Sequence, residues 1–450
     1  MFSKILVANR GEIAIRIIRA CREMGISTVA VFSEADKDAL HVNLADESIC
    51  IGGPIAKDSY LNMEAILSAA ILTGSQAIHP GYGFLSENSK FVELCEQCKI
   101  TFIGPSAEVI AKMGDKDQAK KTMRNADVPV IPGVDFVEDI EVAKAEALKI
   151  GFPLLIKAKA GGGGRGIRLV QKAEEFSSAF LAASNEALSA FGDGGVYLEK
   201  FLAVTKHIEM QLLCDQHGNV LCLGERECSI QRKNQKMIEE SPSPAVSVET
   251  REKMVEAAKK AAKAVGYTNA GTIEFLLDRD GHFYFMEMNT RLQVEHPVTE
   301  MVTGIDIVKW QIRIAANLPL TIKQEDVQMN GYAIECRINA ENPLFDFRPC
   351  CGTITLLHVP GGPWVRFDSA IYQGYTMPPF YDSMIGKLIV HAITREEAIR
   401  KMQAALSELV IEGIDHTSDV LMGILSSEEF ASGNYFTNFL QNKNISDFYG

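Results

Sequence analysis

Between residues 4 and 113 short apolar runs alternate with stretches of helical periodicity. The runs fall at 5–8, 28–32, 49–51, 77–79 and 101–103, and the helical stretches at 13–24, 63–72 and 91–97. That alternation predicts βαβ units on a parallel sheet, a Rossmann-like α/β domain over 1–113. The first turn, Asn9-Arg10-Gly11-Glu12, carries a single glycine, so a three-glycine dinucleotide fingerprint is absent and no nicotinamide cofactor is expected. From 114 to 330 the pattern changes to strands joined by hairpin turns, with helices at 116–126, 174–188 and 249–265, which predicts an α+β domain. Beyond 331 an alternating strand at 332–340, further strand-like segments at 353–359 and 384–391, and helical patterns at 396–409 and 419–425 predict a third, mixed α+β domain over 331–450.

Two constellations interrupt this regularity with chemistry. Residues 152–170 form a strand, a glycine run and a second strand: Lys157, then Gly161, Gly162, Gly163, Gly164, Arg165 and Gly166, then the alternating Ile167-Arg168-Leu169-Val170. No helix opens after the glycines and no Gly-Lys-Ser/Thr follows, so neither the Rossmann nor the P-loop context is met. The pattern predicts a hairpin lid whose backbone lies close to a polyphosphate, with Lys157 and Arg165 adding charge. The second constellation is a hairpin. Two strands, carrying Glu274 and Glu287, flank the turn Asp278-Arg279-Asp280-Gly281, which brings the two carboxylates near each other. Asn289 shares the face of Glu287, and hard oxygen ligands without His or Cys select Mg²⁺.

The alternation continues through Arg291, Gln293 and Glu295, but eight extended steps would span about 26 Å, too far for one small ligand unless the chain bends after Asn289. Two adjoining subsites follow: Glu287 and Asn289 for the metal, and Arg291, Gln293 and Glu295 for the group that attacks the γ-phosphate. A guanidinium beside a carboxylate suits a small anion that must lose a proton. Lys116 opens a helix, Gln231-Arg232-Lys233-Asn234-Gln235-Lys236 is a polar run, and Arg337 shares a polar strand face with Glu335 and Asn339.

Composition narrows the setting. The 450 residues allow roughly three domains, and a net charge of −13 argues against a nucleic-acid partner. No apolar run reaches membrane-spanning length, and the N-terminus lacks the apolar core of a signal peptide, so a cytoplasmic protein is expected. The ten cysteines read as reduced, packed thiols, Cys95-x-x-Cys98 and Cys350-Cys351 included.

Four stretches carry a family likeness: Asn9-Arg10-Gly11-Glu12-Ile13-Ala14, His79 to Asn88, Glu287 to Glu300, and Tyr381-Asp382-Ser383-Met384-Ile385-Gly386-Lys387. On these the chain resembles, over nearly its whole length, the biotin carboxylase component of biotin-dependent carboxylases, members of the ATP-grasp superfamily. The resemblance implies an ATP-grasp fold behind a Rossmann-like domain, with a lid over about 131–203. It implies that ATP with Mg²⁺ or Mn²⁺ phosphorylates bicarbonate to carboxyphosphate, whose CO₂ passes to biotin. By position, Lys116, Lys157, Gly161 to Gly164, His207, Gln231, Asn234 and Lys236 would contact ATP or substrate, Glu199 and Leu202 would line the nucleoside pocket, and Glu274, Glu287 and Asn289 would hold the metal. Arg291, Gln293 and Val294 would hold bicarbonate, Glu295 would be its base, Arg337 would stabilise the biotin enolate, and Tyr82 would border biotin. Asn234 stands where many family members have His, and Lys159-Ala160 replaces a small-residue start to the glycine run.

No Ala-Met-Lys-Met sequence for biotin attachment occurs, so biotin is expected on a separate carrier protein working with a carboxyltransferase, and the resemblance implies a homodimer with Arg19, Glu23 and Arg366 near its interface. An acetyl-CoA carboxylase serving fatty acid synthesis is the leading expectation. The alternatives are a pyruvate or propionyl-CoA carboxylase, another ATP-grasp carboxylate–amine ligase, and a non-catalytic ATP-binding regulatory protein.

Overall fold

A computed structural model of the chain describes residues 1–137, 139–158, 167–191 and 195–449. It opens with strands Lys4–Val7 (β1), Ser27–Phe32 (β2), Glu47–Cys50 (β3), Ala77–His79 (β4) and Thr101–Phe102 (β5). Their order is β3-β2-β1-β4-β5 and every pairing is parallel. Ile5, Leu6, Val7 and Ala30 are fully buried, as expected where helices cover both faces of a parallel sheet. Helix Gly11–Glu23 (α1) follows β1 directly, and Gly11 enters it at φ 67°, a left-handed conformation that carries no penalty without a Cβ. The Asn9 amide donates to the carbonyls of Pro80 (2.7 Å) and Tyr82 (2.8 Å), tying together the loops beyond adjacent strands β1 and β4. That is the edge where open α/β sheets bind ligands.

Helix Lys116–Asn125 (α2), capped by the Asp115 carboxylate, leads to a small antiparallel sheet. It comprises Gly133–Val137 (β6), Leu154–Ala158 (β7), Ile167–Val170 (β8) and Val196–Lys200 (β9), in the order β6-β9-β7-β8. β7 and β8 pair antiparallel with Lys157 opposite Ile167, as the lid hairpin requires. The glycine run that joins them, Gly161 to Gly164 with Lys159, Ala160, Arg165 and Gly166, lies outside the described residues.

The largest sheet contains Lys206–Cys214 (β10), Val220–Arg232 (β11), Gln235–Ser241 (β12), Asn269–Leu277 (β13), Phe283–Asn289 (β14), Tyr332–Asn339 (β15), Val365–Ser369 (β16) and Met384–Ala392 (β17). Its order, β14-β13-β10-β11-β12-β15-β17-β16, is antiparallel throughout. Because β12 pairs with β15, this one sheet runs across residue 330. Helix Val248–Val265 (α3) covers β10 and β11 with Met254, Ala258 and Ala261. Helix His296–Thr303 (α4) lies over β11 and β15. Near the C-terminus the predicted helical patterns become Arg395–Glu408 and Ser418–Ser426, while the strand-like stretch at 353–359 shrinks to Leu356–His358.

Phe275 is fully buried on β13 beside Glu274, with its ring edge-on to Phe283 at 5.2 Å. Phe275→Ala leaves a cavity under the acidic hairpin and should cost ~3–5 kcal/mol of stability, read as a lower midpoint of urea unfolding.

Candidate active site

The hairpin of β13 and β14 sets Glu274 directly opposite Glu287. Asp278 closes the turn by accepting from the N–H groups of Asp280 (3.0 Å) and His282 (2.8 Å), and Gly281 supplies φ 83°. Glu274 is buried and accepts from Asn289 Nδ2 (2.7 Å) and Gln293 Nε2 (2.8 Å), while His207 Nε2 sits at 2.8 Å and Lys236 Nζ at 3.3 Å. Burial would raise its pKa, but Lys236 and His207 outweigh burial and hold it well below the usual carboxylate range. Glu287 moves the other way, raised by burial and by the facing Glu274. A carboxylate whose charge is made costlier by burial and by a facing carboxylate fits a hard divalent cation, whose charge would relieve that cost. The Asn289 carbonyl oxygen accepts from Arg291 Nη2 at 2.9 Å.

Beyond Asn289 the strand ends and the chain bends, as the length argument required. Arg291, Gln293 and Glu295 occupy the turn that leads into α4. Arg291 is steadied by Glu87 (2.8 Å), which also caps the Thr290 N–H (3.0 Å). Gln293 is buried between Glu274 and the fully buried Arg226, which donates to its carbonyl oxygen. Glu295, 2% exposed, is gripped from both sides: Lys236 Nζ at 2.6 Å on Oε1 and Arg337 Nη2 at 2.9 Å on Oε2. Burial opposes its ionisation, yet Lys236, Arg337 and Arg226 prevail and its pKa lies well below the ordinary value. Arg337 is itself aimed by Glu239 at 2.6 Å.

Lys236 joins the two subsites, since its ammonium also contacts Glu209 and Glu274. Glu209, Arg226 and Glu239 are absent from the sequence-derived set. On β10, Glu209 lies opposite both Glu274 and Arg226. The signal was present in the polar alternation His207, Glu209, Gln211, but an alternating strand also fits a solvated face. Burial and the neighbouring carboxylates outweigh Lys236, pushing Glu209 up to about 7.

His207 Nδ1 faces Gln231 Nε2 at 2.7 Å, and its pKa is raised because Glu274 outweighs burial. Lys116 stands exposed at the first turn of α2, and its charge lowers the Glu287 pKa. On the small sheet, Glu199 is paired with Lys157 and, at 2.8 Å, with Lys120; Leu202 is half-buried just past β9. Asn234 is exposed in the β11–β12 turn at φ 64°. Tyr82 donates its hydroxyl to Glu12 and borders a cavity of about 550 Å³ that Arg291, Val294 and Arg337 also line. A larger cavity, about 750 Å³, lies among Asp419, Lys443 and Tyr449 and holds none of the predicted site residues.

The class follows from these features and from comparison with known proteins. Residues 115–323 match the carbamoyl-phosphate synthase L chain ATP-binding domain, an ATP-grasp domain. Residues 1–110 match the biotin carboxylase N-terminal domain, and 335–442 its C-terminal domain. Biotin carboxylase 1 of Bacillus subtilis is 57% identical over 447 residues, 99% of each chain. A pyruvate carboxylase subunit of Methanothermobacter thermautotrophicus is 54% identical, over 98% of this chain and 90% of that one. The biotin carboxylase domain dimer of Hydrogenobacter thermophilus 2-oxoglutarate carboxylase, solved with MgADP, ADP and bicarbonate, superposes with a TM-score of 0.89. It is 51% identical, over 100% of this chain and 99% of that one. The chain belongs to the biotin carboxylase family of ATP-grasp ligases and is an enzyme.

Glu209 yields a pH test. Its folded pKa is raised, so its contribution to stability is full below the ordinary carboxylate value of 4.5 and is lost as pH rises through about 7. Glu209→Gln should flatten the decline in unfolding free energy between pH 4.5 and about 7, measured by urea titration.

Proposed function

We propose a route by which this enzyme carboxylates biotin with ATP. Lys116, Lys157, the glycines at 161–164, His207, Gln231 and Asn234 contact the nucleotide, and Glu199 and Leu202 border its nucleoside. Glu274 and Glu287 hold Mg²⁺ or Mn²⁺, joined by Asn289 once its oxygen leaves Arg291. When bound, the ion offsets the charge of the phosphates and of the facing carboxylates. Arg291, Gln293 and Val294 seat bicarbonate beside Glu295, which takes its proton. The bicarbonate oxygen then bonds to the γ-phosphorus as the bond to ADP breaks, giving carboxyphosphate. A carboxylate held by two cations is a weak base, so turning Lys236 toward the γ-phosphate restores the basicity of Glu295 at the moment it is needed. Carboxyphosphate breaks to CO₂ and phosphate beside biotin in the cavity bordered by Tyr82; the phosphate takes the proton of the biotin ureido nitrogen, Arg337 stabilises the resulting enolate, and that nitrogen bonds to CO₂.

The observation that carries this reading is the placement of Glu295 between Lys236 and Arg337, next to Arg291 and the cavity. The burial of Glu295 also limits the water near an intermediate that water destroys. In this reading residues 1–113 form the floor of the cavity, 114–330 the nucleotide site with a lid over about 131–203, and 331–450 the wall bearing Arg337. Biotin arrives on a biotin carboxyl carrier protein, and a carboxyltransferase uses the product. We favour acetyl-CoA as final acceptor, supplying malonyl-CoA for fatty acid synthesis in the cytoplasm. The relatives named for pyruvate and 2-oxoglutarate carboxylases support leaving that choice with the carboxyltransferase. A homodimer is supported by the Hydrogenobacter thermophilus dimer and by the open groove at Arg16, Arg19, Glu23 and Arg366.

Two measurements test the reading. ATP hydrolysis should require bicarbonate and rise on addition of free biotin; hydrolysis indifferent to biotin would instead indicate a carboxylate–amine ligase. Glu295→Gln should remove biotin carboxylation, a loss of at least about 100-fold, with ATP affinity nearly unchanged. Equal loss of ATP binding, measured by calorimetry, would refute the base assignment.

A further inference from the structure

Lys387 is a fully buried lysine on β17, outside every role assigned above. Its ammonium donates to the Val294 carbonyl at 2.7 Å and lies 3.1 Å from Glu12 Oε1. Glu12, on α1, accepts the Tyr82 hydroxyl on the same oxygen. Three segments far apart in sequence therefore meet at one nitrogen: the first turn of α1, the loop before α4, and β17. Glu335 lies nearby with neither carboxyl oxygen hydrogen-bonded among the described residues. Burial raises its pKa well above the usual range, although Lys387 opposes the shift.

The bond to Val294 matters because the next residue in the chain is Glu295. A peptide unit is planar, so fixing the Val294 carbonyl fixes the plane that ends at the Glu295 Cα. Glu295 also occupies the position just before the first residue of α4, where no side-chain cap secures the helix start. Lys236 and Arg337 hold the carboxylate at its far end, but in the proposed cycle Lys236 turns away. Arg337 on Oε2 and the backbone anchor at Val294 are then what keep Glu295 aimed. Burying an ammonium for stability alone is a poor use of a core position, since an apolar side chain of similar volume usually serves as well or better.

We propose that Lys387 is a positioning residue for the carboxylation reaction, holding the Val294–Glu295 peptide in register with the Tyr82 wall of the cavity through Glu12. The proposal rests on the reading of Glu295 as the bicarbonate base. An ångström of misplacement at a reacting group costs about 100-fold in rate, so loss of the anchor should appear in turnover and in KM for bicarbonate, while ATP binding is spared.

The test uses the full chain with Lys387→Met and with the double variant Lys387→Met/Glu12→Gln, which removes both buried charges together. Expected are a fall in bicarbonate- and biotin-dependent turnover of about 30- to 100-fold in both, KM for ATP within about 2-fold of the unaltered protein, and a thermal midpoint that recovers in the double variant while activity does not. Recovery of turnover in the double variant would overturn the proposal, leaving Lys387 as a counter-ion to Glu12. Failure of both variants to fold, read by circular dichroism, would also overturn it by making the lysine a folding residue. If the unaltered protein hydrolyses ATP without regard to bicarbonate, the reading of Glu295 fails and this proposal with it; if it is bicarbonate-dependent and the variants match it, the proposal alone fails.

Discussion

One ammonium group holds the site together. Lys236 contacts Glu209, Glu274 and Glu295, carboxylates drawn from three different elements of the chain. Removing three carboxylates from water is tolerable only when cations and hydrogen bonds accompany them, and here Arg226, His207 and Arg337 complete the balance. The result is a preorganised but divided field. Glu274 and Glu295 are held ionised, while Glu209 and Glu287 are pushed toward their neutral forms. Such separation of like groups by environment is what lets one cluster of carboxylates offer groups of different charge to different tasks.

The sheet makes that cluster possible. Glu209 sits between Glu274 on β13 and Arg226 on β11 by register alone. Glu239 on β12 faces Glu335 on β15, and Arg337 on β15 faces Lys387 on β17. Continuing outward, Lys387 lies opposite Asp368, which is bound by Arg366, which reaches Glu300 on α4, which meets Arg16 of α1. From Lys387 outward polar side chains thus alternate in sign to the surface groove, and α4 lies over the face that bears them. The sharing of one sheet across residue 330 is what places Arg337 within reach of Glu295.

Much of this was legible along the chain. The parallel strands announced themselves as apolar runs separated by helical periods, and β1, β2 and β4 fall where those runs lie. The acidic hairpin was readable because both partners of the pair sit in one local turn, so their facing follows from strand alternation. The need for a bend after Asn289 followed from length. The hydrogen bond from Arg291 to Asn289's oxygen did not, because it depends on the bend's actual path. Glu209, Arg226, Glu239 and Lys387 were silent for a different reason. Each occupies a polar position on an alternating strand, and nothing local distinguishes a polar face turned to water from one covered by α4.

The amino-acid order by itself determined the element types, the glycine-rich hairpin, the Glu274–Glu287 pair and, through its motifs, the family. These depend on neighbours a few residues apart, where backbone geometry leaves little choice. Tertiary structure alone decided which strands lie side by side, and therefore which charges meet. Pairings such as β10 with β13, or β12 with β15, join residues some 60 to 100 positions apart, where the chain between imposes no geometry and only the closing of the core selects the partner.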